Sequence, residues 1–314
     1  MPSMLNHLTS EIGARQSPPG EPTADRPDKI GMILGLCVFS IVMATGPVIA
    51  RLIFRRASNL RWLNDDYTII IAALISNANA ASYLACLRYG FGKPMETLHP
   101  GDIVNFFRLA FITFLIYGAS VSFIKFSVLA FYDRIFPRNN FKKWRIVLAV
   151  CSVIWWILIT FVTIFQCNPI RKAWEFELPG ECHPYLYLFI AIQVLNIVLD
   201  CAILVLPISA VMKLQMSRAN KIGVAGIFAL GGLSIIFAII RLAILIKDRD
   251  QTDITYDIRT ANWSLIEPSF EIFCACLPCM TPLLAAGRKI AQMSSNWSSS
   301  FLSNSKRTTD SSSS

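Results

Sequence analysis

Seven mostly apolar stretches follow one another along the chain, at residues 30–53, 67–87, 104–131, 144–166, 185–214, 222–246 and 262–286, with short polar segments between them. About 20 apolar residues in helical form cross a hydrocarbon core roughly 30 Å thick, and a helix pairs every backbone N–H and C=O where no water is present. The pattern therefore predicts an all-α membrane protein, a bundle of seven transmembrane helices. The second stretch is the most interrupted, by Ser76, Asn77, Asn79 and Ser82. Its many alanines suit a helix packed closely inside the bundle, with the amides bonding across to neighbouring helices.

Composition agrees with this class: apolar residues make up 54% of the chain, charged residues 16%, and the mean hydropathy is +0.51. The apolar stretches divide the chain into a polar, Pro-containing N-terminal tail (1–29), a membrane domain (30–286) and a Ser-rich C-terminal tail (287–314). Both tails are expected to be disordered, and the first lacks the apolar run of a cleavable signal.

The net charge of +9 is best read through the loops. Fourteen lysines and arginines flank the edges after the first, third, fifth and seventh stretches, against nine at the other edges. By the positive-inside rule this predicts an outside N-terminus and a cytosolic C-terminus. The basic residues are then contacts to anionic lipid heads, and nucleic acid is not an expected partner.

Six of the nine cysteines (Cys37, Cys151, Cys201, Cys274, Cys276 and Cys279) fall inside the apolar stretches, where cysteine acts as a small hydrophobe. The Cys274, Cys276, Cys279 triplet has no nearby histidine, so no metal site is expected. Cys167 and Cys182 share the fourth loop, on the predicted outer side, where a disulfide persists. A bridge between them is expected, with Cys86 as the competing partner.

Ionisable groups inside a membrane span are costly unless paired or wetted. Arg241 and Glu267 each lie about five residues, or roughly 8 Å, inside the outer boundary of their stretches. Glu271 is one turn deeper on the face of Glu267. Asp200 has Asn196 one turn above it, and Lys125 can reach Asp200 or extend toward the inner surface. These residues are either ties between helices or the lining of a polar cavity that takes a ligand.

An ordered series of motifs spans most of the chain: Arg61-Trp62-Leu63-Asn64-Asp65-Asp66-Tyr67, Tyr89-Gly90-Phe91-Gly92-Lys93, Lys125-Phe126-Ser127 leading to Tyr132-Asp133-Arg134-Ile135-Phe136-Pro137, Phe165-Gln166-Cys167-Asn168-Pro169-Ile170 with Trp174 and Cys182, Asn196 to Asp200 with Leu206-Pro207-Ile208, and Trp263 with Glu267 before Leu277-Pro278. In this order and spacing the series resembles the fungal rhodopsin-domain family of seven-span membrane proteins. The family pattern tends to place histidine after the position of Lys93, where this chain has Pro94. The resemblance implies a receptor-like protein of a filamentous fungus, associated with environmental sensing or with secondary-metabolite biosynthesis. Trp62, Asp65, Asp66, Gly90, Gly92, Trp174 and Trp263 are the family-motif residues that this chain retains.

The residues limit what that resemblance can mean. A retinal Schiff base needs a lysine in the last span, and 262–286 has none, so no cofactor is implied. Asp133-Arg134 imitates the acidic-arginine pair of G-protein-coupled receptors, but the seventh stretch lacks Asn-Pro-x-x-Tyr. A cytosolic signalling partner is therefore expected without a coupling motif. His7, His99 and His183 all lie outside the spans, and Asp65-Asp66 lacks the third aspartate of a prenyl-diphosphate site. No inverted repeat points to a transporter. The reading is a receptor-like protein of the plasma membrane or an endomembrane, in contact with lipid and with a small apolar ligand or metabolite. A membrane-embedded enzyme, for example a cyclase-like step, or a transporter of such a metabolite is the alternative.

Overall fold

A computed structural model of the chain describes residues 29–57, 63–93, 97–135, 139–182, 186–211, 218–247 and 260–277. The predicted tails except Lys29, together with Trp62 and residues 278–286 of the last apolar stretch, Cys279 among them, lie outside the described residues. Among the described residues there are seven α-helices: α1 (Ile30–Ala57), α2 (Asn64–Arg88), α3 (Pro100–Ile135), α4 (Asn139–Ile164), α5 (Leu186–Val211), α6 (Arg218–Lys247) and α7 (260–277). By length and composition, α1 to α5 each suffice to cross a membrane. Most helices run a few residues past the apolar stretches, because their ends continue into the polar interface. The fourth starts five residues before its stretch but stops two short of its end, since Phe165 and Gln166 leave the helix so that Cys167 can enter a hairpin, and α5 stays within its stretch over the described residues.

The bundle is inside-out relative to a water-soluble one. Its buried positions include Ser40, Arg51, Asp66, Asn79, Ser120, Lys125, Gln193, Asn196, Arg241 and Glu267. Its exposed positions on α4 and α5 are apolar, among them Ile146, Val150, Ile154, Ile157, Phe161, Val194, Val198 and Val205. With no water in the core to hydrate them, polar groups are best placed where helices face one another, while apolar side chains face lipid. Interhelical hydrogen bonds follow this rule. Asn77 Nδ2 donates to Thr45 Oγ1 (2.9 Å), Ser40 Oγ to the Leu265 carbonyl (3.2 Å) and Trp155 Nε1 to the Ile192 carbonyl (2.8 Å).

Helix α3 has 36 residues and is about 54 Å long. It contributes to four packed clusters. Phe106 joins Ile33, Ala80 and Leu265; Ile124 joins Val48, Ala72 and Ile272; Tyr117 and Val121 join Trp155, Ile159 and Ile192; Leu129 and Tyr132 join Phe141 and Ile203. One rod therefore touches α1, α2 and α7 on one side and α4 and α5 on the other.

Two turns depend on glycine. Gly90 and Gly92, after α2, take φ of +90° and +87°, a region that L-side chains rarely occupy. At Gly180 a Cβ would lie 2.4 Å from the Asn168 carbonyl oxygen, within the loop between α4 and α5. In that loop β1 (Cys167–Asn168) and β2 (Glu181–Cys182) pair antiparallel, Cys167 opposite Cys182, and the two cysteines are bridged. Cys86, the competitor, is a free buried thiol. Phe176 packs edge-on against Phe107, and Trp174 against Phe111, so the closed loop seals the start of α3.

The bridge spans 15 positions in sequence. In the chain-entropy model such a closure stabilises by roughly 3 kcal/mol. Cys167→Ser and Cys182→Ser are each expected to lower the amount of protein reaching the cell surface, and peptide mapping without reductant should recover the two cysteines as one cross-linked species. Recovery of both as free thiols would refute the pairing.

Candidate functional site

Two buried charge centres lie along α3. The first joins the end of α1 to the start of α2. A short connection after α1 brings Arg51 and Arg55, one turn apart, against the adjacent Asp65 and Asp66 in the first turn of α2. Arg51 Nη2 meets Asp65 Oδ2 at 2.6 Å, and its Nε meets Asp66 Oδ1 at 3.0 Å. Arg55 Nη2 meets Asp65 Oδ2 at 3.0 Å, and its Nη1 also pairs with Asp66. Each guanidinium thus contacts both carboxylates, with all four side chains almost wholly buried.

The surroundings complete this centre. The Leu63 N–H donates to Asp66 Oδ2 (3.1 Å), which caps α2. Arg51 Nη1 donates to the Ala275 carbonyl on α7 (3.2 Å), and its guanidinium lies 5.9 Å from the Phe131 ring of α3. Arg134, half-exposed at the end of α3, approaches Asp65 at 3.6 Å. Four helices meet here through charge-assisted bonds.

Counting Arg51 and Arg55 as loop-edge cations misses this centre, because both turn inward. The signal lay in their spacing. Two arginines at i and i+4, ten to fifteen residues before two adjacent aspartates across a short loop, present matching faces when the helices fold back.

The second centre lies near the middle of the bundle. Arg241 Nε on α6 meets Glu267 Oε2 on α7 at 2.7 Å. Tyr117 of α3 donates its hydroxyl to the same oxygen (2.7 Å), and the Arg241 guanidinium lies over the Tyr117 ring at 4.6 Å. Lys125 Nζ on α3 pairs with Asp200 on α5, which also accepts from Asn196 Nδ2 (3.4 Å). Glu271 is buried one turn below Glu267, and its Oε2 has no hydrogen-bond partner. Tyr117 was not among the sequence candidates. A single tyrosine in an aromatic-rich span carries no signal until the helix opposite is known.

Beside Lys125, Asp200 and Glu271 opens a cavity of about 90 Å³. Its other walls include Val128, Phe131 and Tyr132 of α3, Ile203 and Leu204 of α5, Ser234 of α6 and Cys274 of α7. The lining is mostly apolar with a few charged groups, the usual make-up of a small-molecule pocket. Trp263, from the motif series, packs with its ring tilted against Phe237 of α6 (5.6 Å) and holds α7 to its neighbour one turn from Glu267.

The chain resembles several fungal proteins. A SAT4 family membrane protein of Emericella nidulans is 31% identical over 72% of this chain and 58% of its own. Fugralins biosynthesis cluster protein 2 of Gibberella zeae is 31% identical over 54% of this chain and 45% of its own. Satratoxin biosynthesis SC1 cluster protein 4 of Stachybotrys chartarum is 30% identical over 54% and 62%. The chain thus spans about half the length of the curated relatives it matches. No solved structure matches it. Residues 50–286 match the model of the fungal rhodopsin domain, which takes in both charge centres and the bridged loop. This integral membrane protein therefore belongs to the fungal rhodopsin-domain family, whose members include proteins of secondary-metabolite gene clusters.

Proposed function

We propose that the protein is a receptor-like membrane protein that binds a small, largely apolar metabolite in the cavity between α3, α5, α6 and α7. The observation that carries this reading is a mostly apolar pocket lined also by Lys125, Asp200 and Glu271, in a bundle whose other buried charges, among the described residues, are held in ion pairs. The relatives named for biosynthesis clusters favour a secondary metabolite as the ligand. They also support the alternative, a membrane-embedded enzyme or a transporter acting on such a compound, because proton-carrying side chains line the same pocket.

The readings separate in one experiment. Purified protein in nanodiscs is mixed with the intermediates and product of the biosynthesis clusters for which its relatives are named. A receptor is expected to bind one of them saturably and return it with its mass unchanged. A change of mass identifies an enzyme, and uptake into reconstituted vesicles a transporter; either outcome overturns the receptor reading.

The proposed orientation has the N-terminus outside and the C-terminus in the cytosol, in the plasma membrane or an endomembrane. Besides the bias of basic residues, it is supported by the disulfide-bridged loop at the end of α3 remote from Arg134, since disulfides persist on the oxidising side. An epitope tag after Ser314 should react with antibody only after the cytosolic face is opened. Labelling of intact cells would reverse the topology.

A further inference from the structure

We propose that the ligand carries a protonated amine, with Glu271 as its counter-ion in the cavity; this rests on the reading of that cavity as the ligand site. Among the described residues, five charged side chains cluster at the cavity or beside it: Lys125, Asp200 and Glu271 line it, and Arg241 and Glu267 lie next to them. Two are cations and three are carboxylates: Lys125 closes on Asp200 and Arg241 on Glu267, which leaves Glu271 over.

Glu271 is only 6% exposed, lines the cavity, and has Oε2 without a partner. The groups that face it are Lys125 and Tyr117 from α3, Asp200 from α5, Arg241 from α6, and Glu267 and Cys274 from its own helix. Both cations among them already hold a carboxylate, Lys125 that of Asp200 and Arg241 that of Glu267, although Arg241 Nη2 has no hydrogen-bond partner. An ionised carboxylate in this setting has lost its hydration and leaves Oε2 without a hydrogen-bond partner, which is unfavourable. A cation in the cavity removes that penalty, whereas an anionic ligand adds to it.

The walls fit the rest of such a ligand. Phe131 and Tyr132 add aromatic lining of the kind that attracts ammonium groups, the Phe131 ring already lying 5.9 Å from the Arg51 guanidinium. Ile124, Val128, Ile203 and Leu204 take an apolar substituent. With about 90 Å³ of space, the buried part is a few heavy atoms, an ammonium and its nearest carbons rather than a polycyclic body.

The test uses the full chain in nanodiscs and a matched pair of probes, benzylamine and benzyl alcohol, with binding followed by saturation-transfer NMR at neutral pH. Wild type is expected to prefer the amine by about tenfold or more, and Glu271→Gln is expected to bring the two probes level. Equal binding of both probes by wild type, or an undiminished preference in the variant, overturns the amine proposal while the cavity remains a ligand site. Binding of neither probe defeats the cavity reading itself and this proposal with it. Should Glu271→Gln fail to fold, Cys274→Phe fills the same cavity without altering its charges and must abolish amine binding; retained binding would also overturn the proposal.

Discussion

Asp66→Asn is expected to destabilise the protein by about 3–5 kcal/mol, the usual cost of leaving a buried charge unpaired. The substitution keeps the size of the side chain and removes its charge. Arg51 and Arg55 then face a single carboxylate, Asp65, in a site from which water is excluded. Attraction to one aspartate does not offset the desolvation of two guanidinium groups. The Leu63 N–H also loses a charged acceptor at the start of α2. Melting of the detergent-solubilised protein measures the effect, and Arg51→Met combined with Asp66→Leu should cost less than the two single changes together. Wild-type melting of Asp66→Asn would mean that water or an ion reaches the centre.

An effect of similar size, about 3–5 kcal/mol, is expected when either partner of the Arg241–Glu267 pair is neutralised. Glu267→Gln leaves Arg241 with only the Tyr117 ring, and Arg241→Gln leaves Glu267 with only the Tyr117 hydroxyl. Tyr117→Phe is milder, about 1.5–3 kcal/mol, because it deletes one hydrogen bond to a charged group and keeps the ion pair. The double variant Arg241→Gln, Glu267→Gln should melt closer to wild type than the sum of the single effects requires. If the two effects add in full, the side chains do not interact. If both single variants melt normally but lose ligand binding, the pair belongs to the binding site rather than to the scaffold.

The helices were legible because the membrane imposes a length and a polarity that sequence displays directly. The Arg241–Glu267 contact could be anticipated from equal depth alone, since two buried opposite charges on consecutive helices have few other ways to be satisfied. Lys125 shows the limit of that reasoning. Its long side chain reaches either an aspartate or the surface, and only the rotation of α3 relative to α5 decides for Asp200.

The network of Arg51, Arg55, Asp65 and Asp66 was harder to see. Arginines at the edge of a span look the same whether they face lipid heads or a neighbouring helix. Asp65 and Asp66 were recognisable as a motif without revealing what they bind. The cavity was less legible still, because it is defined by where side chains from α3, α5, α6 and α7 stop short of one another, and no periodicity records that.

The two charge centres also differ in when a growing chain can complete them. Arg51 and Arg55 find their aspartates 10 to 15 residues downstream, so the α1–α2 hairpin can neutralise its own charges soon after synthesis, with a small loop-closure cost. Glu267 needs Tyr117, 150 positions earlier, and Arg51 must wait for the Ala275 carbonyl, 224 positions later. During biogenesis the first hairpin can therefore enter the bilayer as a finished unit. Helix α7 carries Glu267 and Glu271 into a bundle whose earlier helices already hold their surroundings, so until residues 260–277 are made Arg241 and Tyr117 lack their acceptor.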